Sequence, residues 1–314
     1  MKKIGLHAPV LDDRGNGTVT YDYANGARNI LGMDPVIISS KQKSIGIKER
    51  FSDFDVCLYD DPKDLSKIIE DKKVEFLYMT CAGADEGYTP KNCKTGIHCV
   101  FNMEHPFGDV YAGVSEWLAK FFKKDKWVPH IINMPKTNET LHAELGIPKD
   151  AFIVGRLGGY KQFDVPAARL GLVNAIEKRN DLWAIFLNTE PFINHPRIKF
   201  LPFSPMLSYK SKFINTCDAM LHGRSDGETF GLAVGEFSSF NKPIFTYDAD
   251  YWWYMRAHLD MLGDKALKYK NNEELTSYLL QIDKDYIKDV DWDCYSVRFS
   301  PSNVMRQFNK VFII

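Results

Sequence analysis

The sequence lacks the features that announce several classes of protein. Its 40 Lys and Arg stand against 41 Asp and Glu, a formal charge of −1, so nothing points to bulk nucleic-acid binding. No apolar run reaches membrane-spanning length. The opening MKKIGLHAPV is basic but too short in its apolar part for a signal h-region or a span. The six cysteines (Cys57, Cys81, Cys93, Cys99, Cys217, Cys294) form no CxxC and no zinc spacing. Several fall in apolar, strand-like runs and read as buried free thiols, in keeping with a reducing cytosol. GxGxxG is missing, and with it the nicotinamide fingerprint. No DxD constellation stands in a suitable loop; Asp12-Asp13 and Asp60-Asp61 read as turn residues. Low-complexity segments and solenoid-length repeats are absent too.

What is present suits a large α/β enzyme. The 314 residues, 13% of them aromatic, suffice for two domains with real cores. Strand-like and helix-like segments alternate throughout, which predicts parallel sheets. KKIGLH, PVIIS, FDVCLY, VEFLYMT and GIHCVF read as strands of the first half. Val19–Leu31, after the loop Arg14-Gly15-Asn16-Gly17, and Ser115–Lys123 read as its helices. WVPHIINMPK reads as the end of the first domain and a hinge. FIVGRLG, LWAIFLN, IKFLPF, DAMLHG and PIFTY are strand-like in the second half. Val165–Arg179, Met206–Thr216 and the Asn-capped 272–282 are helical there.

Two segments carry chemistry. In GETFGLAVGEF (227–237), seven residues separate Glu228 in a Gly-bearing loop from Glu236, about two turns into the following helix. A loop that opens a helix offers free N–H groups and a positive dipole end, which suits phosphate. In FIVGRLGGYKQFD (152–164), an apolar strand enters a glycine turn flanked by Arg156 and Lys161. Two such cations can grip a diphosphate from two sides. Together the segments describe a nucleotide-sugar site.

GRLGGYK and GETFGLAVGE resemble the two donor-site motifs of the retaining glycosyltransferases of family four. The resemblance covers most of the chain and is strongest from about Asn133 to Ile282; GGYKQFD is similar to the turn of short virus- or phage-encoded and bacterial versions. It implies a B-type fold: two Rossmann-like domains whose parallel sheets face an interdomain cleft. The expected domains are 1–135 on the acceptor side, 136–288 binding the nucleotide sugar, and 289–314 as a helix crossing back to domain one.

By that resemblance Arg156 and Lys161 bind the diphosphate and stabilise its developing charge in place of a metal ion. Glu228 holds the sugar hydroxyls and Glu236 the ribose diol. Thr229, Phe230, Gly231 and Leu232 surround the sugar and phosphates, the last three through backbone N–H groups. Arg224 and Ser225 face the phosphates. His98 contacts the donor sugar, with His105, Asn102 and Glu104 on the acceptor side. Gly17, in the turn Gly15-Asn16-Gly17-Thr18, lies near the diphosphate. The base sits near Asn188 and Pro202-Phe203. Tyr251-Trp252-Trp253-Tyr254 departs from the family and reads as a packed helix or as an acceptor platform. The implied activity is metal-independent, retaining hexosyl transfer without a cofactor in the cytoplasm. GDP-mannose is favoured slightly as donor, then UDP-glucose, and the acceptor is a glycan, glycoprotein or lipid. Peripheral membrane contact and the choice of monomer or homodimer stay open. Another B-type sugar-nucleotide enzyme, such as an epimerase, or a non-catalytic binding protein are the alternatives.

Overall fold

A computed structural model describes residues 2–12, 15–44 and 50–314. The chain divides into two compact units, Met1–Asn133 with Val297–Ile314, and Met134–Ser296.

The first unit is built on β1 (Lys3–Ala8), β2 (Asp34–Ser40), β3 (Asp55–Tyr59), β4 (Phe76–Cys81), β5 (Lys94–Cys99) and β6 (Val110–Gly113). These form one parallel sheet in the order β3-β2-β1-β4-β5-β6. β1, β2 and β4 are buried along nearly their whole length, as expected of parallel strands covered on both faces. The second unit contains β7 (Phe152–Leu157), β8 (Leu182–Leu187), β9 (Ile198–Leu201), β10 (Ala219–His222), β11 (Gly227–Glu228), β12 (Ile244–Tyr247), β13 (Met255–Arg256) and β14 (Ala266–Tyr269). Six of them make a parallel sheet ordered β14-β12-β10-β7-β8-β9, and β11 pairs with β13 in a short parallel ribbon.

Counted from the first strand of each unit, both six-stranded sheets have the order 3-2-1-4-5-6, the doubly wound arrangement. The order reverses between β1 and β4 in one unit and between β7 and β10 in the other. Ligands of such sheets gather at the carboxyl ends of the strands at that reversal.

The helices Pro166–Lys178 and Asn272–Gln281 pack Leu172, Ala175, Ile176, Leu275 and Leu279 onto Phe152, Val154 and Phe186 of the second sheet. Asn271 caps the latter helix by accepting from the Glu274 N–H. In the first unit the C-terminal helix Pro301–Phe308 brings Phe308 within 5.3 Å of the Tyr23 and Tyr78 rings, and Phe312 follows at 5.6 Å from Tyr78. The tail thus belongs to the core of the unit in which the chain starts.

Three expectations need correction. The first helix spans Gly15–Asn29, so Gly15-Asn16-Gly17-Thr18 is its opening turn rather than a loop. Arg14 and Asp13 lie outside the described residues. A Cβ on Gly17 would stand 1.8 Å from the Asp12 carbonyl oxygen, so the close approach that Gly17 permits is to the chain itself. Tyr251–Trp253 form a bend and turn, and helix begins only at Ala257. His98 is a core residue, fully buried on β5. Its Nε2–H donates to the Val128 carbonyl at 2.8 Å, and its Nδ1 accepts from the Tyr78 hydroxyl at 2.5 Å. Burial lowers its pKa to about 4, so it stays neutral with both nitrogens engaged.

Candidate active site

The candidate site is built at the carboxyl ends of β7 and β10, the reversal point of the second sheet. β7 delivers Arg156 and runs into the turn Gly158-Gly159. Asn188, at the end of β8, donates its amide to the Gly158 carbonyl at 2.8 Å and so fixes that turn. Asp164 ties the turn to the loop after β10, accepting from the Ser225 N–H and hydroxyl, each at 2.8 Å. The Ser225 side chain is thereby occupied. β10 ends at His222, and the chain then places Glu228 on β11.

Glu228 is the electrostatic centre. Its Oε2 accepts from Arg224 Nη1 at 3.0 Å, and its Oε1 lies 3.3 Å from His222 Nε2. Burial pushes the carboxyl up, but the His222 hydrogen bond and the Arg224 and Arg156 guanidiniums outweigh it and hold the pKa below its usual value. The polarity of the chain behind Glu228 follows. An ionised carboxylate only accepts, so His222 donates from Nε2. Its Nδ1 lies 3.0 Å from the Thr246 hydroxyl, and Thr246 Oγ1 lies 3.0 Å from His258 Nε2. Burial drives the His258 pKa well down, consistent with a neutral ring. The Tyr269 hydroxyl anchors the His222 carbonyl at 2.7 Å.

Arg156 is only 5% exposed. It donates to Thr189 Oγ1 at 2.6 Å and to the Gly159 carbonyl at 3.0 Å. Burial lowers its pKa to about 10, with Glu228 and Asp164 opposing. Arg156 is thus a fixed, largely enclosed cation rather than an open loop side chain. Lys161 is exposed in the same turn, and nothing among the described residues ties its ammonium.

The helix Leu232–Ser239 starts behind Gly231, whose φ of +82° only glycine adopts without strain. Leu232 is its first residue. Thr229 and Phe230 are buried, with Phe230 packed edge-on to Tyr295. Glu236 faces inward at 4% exposure and meets Lys210 Nζ at 2.7 Å, which removes the reading of a solvated surface glutamate. Phe203 is exposed after β9, and Trp252 and Trp253 are exposed after β12.

Arg156, Arg224 and Glu228 therefore meet at this end of the second sheet, Glu236 lies on the helix that follows and pairs with Lys210, and His98 and Gly17 are packed within the first unit. Sequence reasoning missed His222, Thr246, His258 and Lys210. A polar residue closing the apolar run AMLH was a signal for His222; Lys210 gave none, because its partner is 26 positions away. Five D-x-D spacings were passed over, at 53/55, 248/250, 283/285, 289/291 and 291/293. Asp248-Ala249-Asp250 does form D-x-D in the loop after β12, but Asp248 is ion-paired with Arg256 at 2.7 Å and Asp250 with Lys270 at 2.9 Å. Among the described residues no three His, Cys, Asp or Glu form a group that could hold a metal ion, and no helix is long and apolar enough to cross a membrane.

No protein-family model matches the chain, and no curated protein does. Solved structures do. A glycosyltransferase from Rickettsia africae ESF-5 superposes with a TM-score of 0.74 at 15% identity, over 99% of this chain and 97% of that one. Anabaena Alr3699/HepE, in complex with UDP and glucose, gives 0.70 at 14% identity over 99% of each chain. A Listeria monocytogenes protein assigned as a UDP-N-acetylglucosamine 2-epimerase gives 0.60 at 10% identity, over 97% of this chain and 94% of that one. With its two parallel six-stranded sheets, the chain has the fold of the B-type glycosyltransferases.

Proposed function

We propose that the protein transfers a hexose from a nucleotide-diphospho sugar to an acceptor hydroxyl. The observation that carries this is Glu228, an ionised carboxylate clamped by His222 and Arg224 at the reversal point of the second sheet, where such folds place nucleotides. A carboxylate held from behind by two donors keeps lone pairs for sugar hydroxyls. The N–H groups that open the Leu232–Ser239 helix, with Arg156, Arg224 and the exposed Lys161, supply positive potential for a diphosphate. Negative charge grows on that diphosphate as the glycosidic bond breaks, so fixed cations there favour the transition state over the ground state. Glu236, with one oxygen on Lys210, is the group for a ribose diol.

Transfer on this reading is retaining and metal-independent, with a leaving phosphate oxygen taking the acceptor's proton. Similarity to a fold that holds UDP and glucose in Alr3699/HepE supports a uracil nucleotide as first donor to test, ahead of GDP-mannose. Calorimetric titration of UDP-glucose and GDP-mannose with EDTA present tests the binding half. One donor should bind in the micromolar range; binding only on adding a divalent cation would overturn the metal-independent reading. Glu228→Gln should keep UDP binding and lose transfer by about 100-fold or more. Unchanged transfer would remove Glu228 from the mechanism.

The Listeria likeness favours a second reading, inversion at a sugar carbon of the nucleotide sugar itself. Incubating UDP-N-acetylglucosamine with the protein and no acceptor separates the two. Proton NMR should show no epimer; accumulation of one would replace transfer by epimerisation.

A further inference from the structure

Cys81 and Cys99 are 18 residues apart in sequence and adjacent in space. Cys81 ends β4, Cys99 ends β5, and the sheet register pairs them directly. Their Sγ atoms lie 3.6 Å apart. Neighbouring strands run about 4.8 Å from one another, a Cα separation inside the range that a disulfide spans, and partners in register point to the same face. The two sulfurs need only close to about 2.05 Å. The pair is graded in access: Cys99 is fully buried and Cys81 is partly exposed. The contact with Cys81 lowers the Cys99 pKa against the effect of burial, and a Tyr111 hydrogen bond adds to that lowering. The same contact, with burial, raises Cys81.

We propose that Cys81 and Cys99 form a dithiol modification site that exchanges with small disulfides of the glutathione class and closes to an intramolecular disulfide. Cys81, the one of the two that solvent reaches, attacks one sulfur of glutathione disulfide through its thiolate form, which burial and Cys99 keep scarce, so this step speeds up as pH rises. The S–S bond breaks, and one glutathione leaves with the proton that Cys81 lost. Cys99 then attacks the Cys81 sulfur of the mixed disulfide and expels the second glutathione, which takes the Cys99 proton. Two protein thiols are oxidised by two electrons, and one disulfide is reduced to two thiols. The new bond staples the carboxyl ends of β4 and β5, where the first sheet would take a ligand.

The test uses the whole chain, reduced, desalted and incubated with glutathione disulfide, then quenched, alkylated and digested with trypsin. Cleavage after Lys73, Lys91, Lys94 and Lys120 puts Cys81, Cys93 and Cys99 on three separate peptides. Mass spectrometry should find 74–91 joined to 95–120 with the loss of two hydrogens, reversed by dithiothreitol. Cys93→Ser should leave that link unchanged. Cys99→Ser should halt at a glutathione adduct on Cys81. Recovery of both wild-type peptides alkylated, separately glutathionylated, or joined to 92–94 would overturn the proposal.

Discussion

Glu236 and Lys210 show how much one residue's meaning depends on its neighbour. A glutamate on a helix is ordinarily solvated, but here its side chain is enclosed and a single ammonium faces it at 2.7 Å. Removing one partner of such a pair leaves an uncompensated buried charge, which costs far more than losing a surface ion pair. Lys210→Ala should lower unfolding stability by about 3 kcal/mol, read from the urea midpoint. Adding Glu236→Gln should recover part of that loss; a double mutant as unstable as the single one would place the cost elsewhere. That Arg156 stands at the end of a strand and Glu228 just ahead of a helix was legible in the sequence because the signal is local, a glycine turn after an apolar strand for Arg156 and a Gly-bearing loop opening a helix for Glu228. Lys210 was not, since its role arises only when the helices Leu207–Thr216 and Leu232–Ser239 meet. His98 misled for a related reason. A histidine at a strand end looks like a ligand until the packing of Tyr78 and Val128 shows both its nitrogens already used.

At the scale of elements, the start of the Leu232–Ser239 helix depends on one dihedral angle. Gly231 sits at φ +82°, and a Cβ there would lie 3.3 Å from both His258 and Val234. Gly231→Ala should cost roughly 1–2 kcal/mol and shift the helix opening against His258. Its expected signature is a lower urea midpoint together with weaker UDP binding by calorimetry. An unchanged affinity would separate the helix opening from nucleotide binding. Most strands were readable because parallel strands buried on both faces are near-continuous apolar runs. β11 and β13 escaped because each has only two residues, and β6 and β14 because half or more of VYAG and ALKY is partly exposed, with Lys268 breaking the apolar pattern of the latter. The opening turn of the first helix escaped because GNGT has loop composition, although Gly17 lies close against the Asp12 carbonyl within it.

For the whole molecule, buried histidines set a limit on acid stability. Burial holds His7 and His98 at about 4 and His130 well below its usual value, all in the first unit. An unfolded histidine titrates near 6.5, so between about pH 6.5 and 4 the unfolded chain binds protons that the native one refuses. Stability therefore rises with pH across that window and falls on acidification, by roughly 3 kcal/mol for each of His7 and His98. Calorimetry should show Tm dropping steeply below pH 6.5; a flat profile down to pH 4 would mean that these rings protonate without unfolding. Because Phe308 and Phe312 sit in the first unit's core, deleting 297–314 should unfold that unit alone. Hydrogen exchange should then show protection lost over residues 2–133 and kept over 134–296.

The return of the tail to the first unit also fixes an order of assembly. On the ribosome, Met134–Ser296 has all of its own sequence as soon as Ser296 emerges. The residues made first must wait for Phe312, roughly ten to thirty seconds after Asn133 is added at ordinary rates of synthesis. Throughout that interval Tyr23 and Tyr78 lack the rings that cover them. Of the two units, the one whose synthesis begins earlier is thus the one that closes its core later.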